Sequence, residues 1–153
     1  MITDVEKTIR DYIDQVIHLS LATSSNDKPW VCEVHYAYDQ DLNLYFRSLE
    51  STRHSQEIAQ NPNIAGNIVE PHGLKDKPRG VYFEGKAELL ADVQTSDLAY
   101  IALSDRFNLG EEILAEAKNQ DGHRFYRIKV SKFYLFDSRE SKPSQKYELP
   151  WAK

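Results

Sequence analysis

The feature that most constrains this chain is a change of hydrophobic period at Ile17. Upstream, Ile2, Val5, Ile9, Tyr12, Ile13 and Val16 recur at helical spacing, and Thr3 with Glu6 forms a capping-box pattern, so the chain opens with a helix. From Ile17 the period is two. Ile17, Leu19 and Leu21 alternate with His18, Ser20 and Ala22, the pattern of a half-buried strand. The polar run Ser24 to Lys28 is a turn, and Pro29 opens a second strand in which Trp30, Cys32, Val34, Tyr36 and Tyr38 share one face. Asp39-Gln40-Asp41 connects this to a third strand, Leu42 to Ser48. A helix over Thr52 to Gln60 follows, stopped by Asn61-Pro62.

Further strands are predicted over Asn63 to Val69 and Gly80 to Leu90, the latter with Val81, Phe83 and Ala87 inward. Two helical stretches, Thr95 to Arg106 and Leu109 to Lys118, precede Arg124 to Phe136, read as two strands or one strand kinked near Ser131. Asp137 to Gln145 reads as loop, and Tyr147 to Trp151 as a last short strand or an arm. Six or seven strands in mostly hairpin order, with helices between them, predict a mainly β chain. The expected architecture is an antiparallel barrel with peripheral helices.

At 153 residues the chain is expected to form one domain, long enough to bury roughly 70% of its unfolded surface without staples. Its net charge of −5 argues against a general nucleic-acid binder, because phosphate neutralisation needs a basic surface. The single cysteine, Cys32, suits a reducing compartment. No stretch approaches the ~20 apolar residues that span a bilayer, and Met1 to Asp14 is no signal peptide. The expected location is the cytoplasm, without a membrane partner.

The chemistry concentrates where the third strand ends at Ser48 and the next helix begins. The first turn of that helix, capped by Ser51 or Thr52, presents free backbone N–H groups and carries Arg53 and His54. Backbone donors, a guanidinium fork, an imidazole and the Ser48 hydroxyl together make a phosphate site; alternatively, Arg53 and His54 are solvated first-turn residues. Cys32 and His35, three apart on a strand, face opposite ways, so Cys32 reads as apolar filler. Glu33 and His35 share a face, as an acid–base pair or an interface pair. Two ligands without a third predict no metal centre. His18, His72 and His123 stand apart in sequence and show no ligand spacing.

Ser20-Leu21-Ala22-Thr23, Pro29, the strand to Tyr38-Asp39, Leu44-Tyr45-Phe46-Arg47-Ser48, Arg53 and Asn61-Pro62 together resemble the flavin-binding core of the pyridoxamine-phosphate-oxidase-like split barrels. Arg79 to Gly85, Ser96-Asp97-Leu98 and Asp105-Arg106-Phe107 are similar to a narrower set of small bacterial proteins that also carry Thr-Arg-His, as Thr52-Arg53-His54 does here. The resemblance implies a homodimeric split barrel that binds FMN at its dimer interface. It assigns the FMN phosphate to Arg53 and Ser48, with His54 standing where lysine is usual. It sets Cys32, Glu33 and Val34 beside the isoalloxazine ring, Asn67 as a further polar contact, and Trp151 as a residue reaching the partner's site.

The resemblance has limits as well. True pyridoxamine phosphate oxidases carry a C-terminal arginine and histidine where this chain ends Tyr147-Glu148-Leu149-Pro150-Trp151-Ala152-Lys153, and Tyr36 stands where their second-strand lysine is expected. The implied function is therefore an FMN-dependent oxidoreductase of unknown small-molecule substrate, not one acting on vitamin B6. The alternatives are a non-catalytic flavin-binding or regulatory barrel and a barrel that holds haem in the same cleft. Tyr36 and His35 are the side chains to examine first for proton transfer.

Overall fold

The computed structural model describes residues 2–139 and 145–151. The first helix, α1 (Val5–Gln15), is capped by Asp4, whose carboxylate accepts from the Lys7 backbone N–H at 2.9 Å, rather than by Thr3. A short polar side chain one residue later satisfies the same free donors. Ile9, Tyr12 and Ile13 line the apolar face of α1 and are fully buried against the sheet.

Strands β1 (His18–Ser25) and β2 (Lys28–His35) form a hairpin closed by Asn26 and Asp27, both at positive φ. That conformation gives a two-residue turn whose twist matches its strands, and Asn and Asp tolerate it. The predicted second strand breaks at Tyr36, which leaves the ladder to bond Ile17 and is followed by the short β3 (Ala37–Tyr38). Then come β4 (Leu44–Ser48), α2 (Arg53–Gln60), β5 (Asn63–Ile68) and β6 (Arg79–Leu90). The helices α3 (Leu98–Phe107) and α4 (Glu112–Ala117) precede β7 (Arg124–Asp137) and β8 (Gln145–Pro150).

Among the described residues the eight strands make one antiparallel sheet in the order β2-β1-β5-β6-β7-β4-β3, with β8 added to β7. The long β7 pairs with β6 throughout, while its other edge is shared, β4 taking its first half and β8 its second. This is a split barrel, as the resemblance implies. Arg124 to Phe136 is one strand, and Ser131 is the residue skipped where the β6–β7 register shifts. The bulge is anchored by the Ser131 hydroxyl on the Glu84 carbonyl and by the Trp151 N–H on the Ser131 carbonyl.

Two apolar clusters result. One fills the barrel beneath α1, and the other joins α3 and α4 to the opposite face of β4 and β7 through Tyr45, Leu103, Ile113 and Phe125. The second cluster fixes where α3 and α4 stand relative to β2 and the end of β4. No helix among the described residues is long and apolar enough to cross a membrane.

Candidate functional site

Among the described residues β2 lies at the edge of the sheet, bonded on one side only, to β1. Its last residues, Glu33, Val34 and His35, border a cleft of about 540 Å³ that also meets Arg47, Ser48, Thr52, His54, Phe107 and His123. That volume lies within the roughly 300–1,000 Å³ range of small-molecule sites. Leu103, Phe107 and Leu109, from α3 and the loop after it, form the apolar wall.

At one end of the cleft, Thr52 is the N-cap of α2 and accepts from the Ser55 N–H at 3.3 Å. His54 is buried, with its Nε2 2.6 Å from the Ser48 hydroxyl and 3.3 Å from that of Thr52. Burial lowers its pKa, so the imidazole is neutral near pH 7. Arg47 ion-pairs with Glu116 at 2.5 Å, and its buried Nε has no hydrogen-bond partner among the described residues. Glu116 also accepts from His123 Nδ1 at 2.6 Å. His123, assisted by Arg47, holds the Glu116 carboxyl down at about 2.

The structure thus gathers four of the sequence-assigned residues, Glu33, Val34, Ser48 and His54, in one cleft. The other four stand elsewhere. Arg53 turns away: its Nε donates to Glu57 at 2.9 Å and its guanidinium lies 4.4 Å from the centre of the Trp30 ring. Arg53 and Thr23 together hold the Glu57 carboxyl below the usual range. Cys32 faces the barrel core, and burial pushes its thiol up to about 11, in keeping with apolar filler. Asn67 borders a different hollow, on the β1–β5–β6 face with Val31 and Tyr82. Trp151 is buried in its own chain, edge-on to Phe133, its indole N–H donating to the Asp41 carbonyl at 2.6 Å.

Of the two side chains marked for proton transfer, only His35 meets the cleft, with its ring edge-on to Phe107 at 5.7 Å. Tyr36 is fully buried, and its hydroxyl donates to the Ile13 carbonyl at 2.8 Å. Burial raises its pKa far above the ordinary phenol value. Arg47 and His123 were not singled out as site residues by sequence reasoning. Arg47 reads as one more strand residue, and His123 reaches the cleft only because the turn after α4 folds back onto Glu116. Gly122 permits that turn, since a Cβ there would lie 2.0 Å from the Glu116 carbonyl oxygen.

The sequence profile of the pyridoxamine 5'-phosphate oxidase family matches residues 5–137. The chain belongs to this family. A UPF0306 protein of Pasteurella multocida is 28% identical over 91 residues, covering 59% of this chain and 61% of that protein. The chain therefore matches less than two thirds of that relative's length. A heme binding protein from Mycobacterium smegmatis superposes with a TM-score of 0.74 at 15% identity, over 98% of this chain and 59% of that one. A FAD-binding protein from Mesorhizobium loti gives 0.65 at 21% identity, over 94% and 93% of the two chains. At these identities the likeness is one of fold.

The residues present fit a flavin mononucleotide. The free edge of β2 offers unpaired backbone groups to a flat heterocycle, and the hydroxyls of Ser48 and Thr52 face the same cleft. The unbonded Arg47 Nε–H is a buried donor that an acceptor oxygen would satisfy.

Proposed function

We propose that this chain binds FMN in the cleft between the β2 edge, the end of β4 and the start of α2, and that it is an FMN-dependent oxidoreductase acting on a substrate other than a B6 vitamer. The observation that carries the reading is one cleft joining an edge strand to the Ser48 hydroxyl and the Arg47 guanidinium at the end of β4 and to the first turn of α2. When bound, the flavin supplies hydride or electron transfer, the chemistry that the protein's own side chains lack.

The chain's residues have three tasks. The Ser48 hydroxyl borders the end of the cleft where the phosphate would sit, and Thr52, whose hydroxyl donates to the Leu49 carbonyl, holds the α2 start in place there. The β2 backbone at Glu33 to His35 orients the ring, and Leu103, Phe107 and Leu109 keep water from one side. Glu33, which accepts from the Ser20 hydroxyl, and His35 are the cleft groups placed to hold or move a proton at a substrate. Neither shares the surroundings of the sealed Tyr36 hydroxyl.

The reading includes a homodimer. Val31 is 60% exposed and Tyr82 40%, and both border the hollow of about 490 Å³ on the β1–β5–β6 face. Exposed large apolar side chains around a shared hollow favour burial against a second copy.

Haem is the second reading. The imidazoles of His35 and His123 both border the cleft, and a structural neighbour is a heme binding protein. Adding FMN or haem to the purified protein, removing the excess and recording the visible spectrum separates the two. A retained flavin spectrum supports the first reading; retained haem with FMN refused supports the second.

A further inference from the structure

We infer that His123, positioned by Glu116, is a further proton acceptor of the cleft, and that the molecule it serves is a neutral aromatic compound bearing a hydroxyl. The inference rests on the flavin reading and names the class of substrate that the same cleft would take.

Three imidazoles border the cleft, and their surroundings differ. His54 is buried with its Nε2 2.6 Å from the Ser48 hydroxyl, so that nitrogen is already engaged. His35 lies edge-on to Phe107, and among the described residues no carboxylate bonds its ring to fix which nitrogen carries the proton.

His123 is held from behind. Its Nδ1 lies 2.6 Å from one Glu116 oxygen, and its backbone N–H donates to the same oxygen at 3.2 Å. Arg47 donates to the other oxygen at 2.5 Å, while Arg124, the next residue, is paired with Glu50 at 3.7 Å. With these donors around it Glu116 stays an anion and can only accept, so Nδ1 carries the ring proton. Nε2 is then a bare lone pair. It has no hydrogen-bond partner among the described residues, on a side chain about half exposed at the cleft. The backbone bond alone would close the turn before β7; the ring bond adds a fixed tautomer. A base oriented by a carboxylate behind it is the arrangement by which an imidazole takes a proton during a reaction.

The class of molecule follows from the walls. A lone pair needs a ligand that brings the hydrogen. Ile17, Leu103, Phe107 and Leu109 give the cleft an apolar lining, and the Phe107 ring packs well against another ring. A neutral aromatic hydroxyl compound meets both demands. Its O–H proton passes to Nε2, the electron pair of that bond stays on the oxygen, and the Glu116 carboxylate stabilises the imidazolium through Nδ1–H. The reverse transfer returns the proton.

The probe is p-nitrophenol, whose ionised form is coloured and whose neutral form is nearly colourless. It is titrated, at a pH below its own pKa, into FMN-loaded samples of the unmodified protein, His123→Gln and Glu116→Gln, and phenolate is read as a difference spectrum. Binding to the unmodified protein should generate phenolate. His123→Gln should generate none, and Glu116→Gln should lower the ratio of phenolate to phenol by about tenfold. Nitrogen-15 NMR of the unmodified protein at alkaline pH gives a readout independent of the probe. The His123 resonances, identified by their absence from His123→Gln, should show a protonated Nδ1 and a bare Nε2. Phenolate that survives in His123→Gln, an unchanged ratio in Glu116→Gln, no binding of the probe to the unmodified protein, or a proton on Nε2 in place of Nδ1 would each overturn the inference and leave the flavin reading standing. If the unmodified protein retains no FMN, both fall.

Discussion

His54 is neutral because it is buried, and this has a pH consequence. Its pKa is lowered in the folded chain from an ordinary 6.5, so below pH 6.5 the unfolded chain binds a proton that the folded chain resists. Folding stability should therefore be lost on acidification from pH 6.5 downwards, by no more than about 1.4 kcal/mol per pH unit from this one group. Urea midpoints at pH 7.5 and 5.5 check this against His54→Gln, which should show the smaller drop. Carboxylates held below their usual range, such as Glu116 and Asp137, add their own loss at lower pH in both proteins. Cys32 gives a second residue-scale prediction. With its thiol pushed up to about 11, little thiolate exists at pH 8, so a thiol reagent should label the folded protein at least about tenfold more slowly than the urea-unfolded chain. Equal rates would show that the side chain leaves the core readily.

At the scale of elements, Arg106 of α3 ties three parts of the fold together. Its guanidinium donates to the Ile13 and Val16 carbonyls, each at 2.9 Å, and lies over the Tyr36 ring at 4.8 Å. It therefore satisfies carbonyls left free at the end of α1 and fastens α3 beside β2. Arg106→Ala should cost about 2–3 kcal/mol in a denaturant midpoint, through two charge-assisted bonds and their exposed acceptors. Gly85, opposite the β7 bulge, is a backbone contact: a Cβ there would sit 2.2 Å from the Lys129 carbonyl oxygen. Gly85→Ala should destabilise by more than about 2 kcal/mol, read by thermal unfolding, because a backbone carbonyl cannot swing aside as a side chain can.

The elements themselves were largely legible. Local periods and turn residues place each strand within a few residues, and even the kink at Ser131 shows as a break in alternation. What escaped was the pairing of non-neighbours. β8 is left as a short strand or an arm because nothing local says that it lies on the far half of β7. Tyr36 looks like the fourth member of a strand face because its bond to Ile17 is a tertiary event. The site divides the same way. Ser48 and His54 are six residues apart and meet locally, whereas His123 meets Arg47 only after α4 docks on β4 and β7. Arg53 was assigned from its place at a helix start and by likeness of motif; its partner Glu57 lies one turn on in α2, but Thr23 and Trp30, which hold that carboxylate and lie against the guanidinium, come from β1 and β2.

For the whole molecule, the account joins a split barrel, a cleft beside its open edge strand and a second copy on the exposed β1–β5–β6 face. Sedimentation should give twice the chain mass of 17.7 kDa, and Val31→Asp, which charges that face, should shift the protein towards monomer. The central claim is the cofactor, and its most direct measurement is the visible spectrum of the purified protein after FMN is added and the excess removed by gel filtration. The account predicts a flavin spectrum that travels with the protein at one FMN per chain. A colourless protein, with all the FMN eluting behind it, would contradict the account.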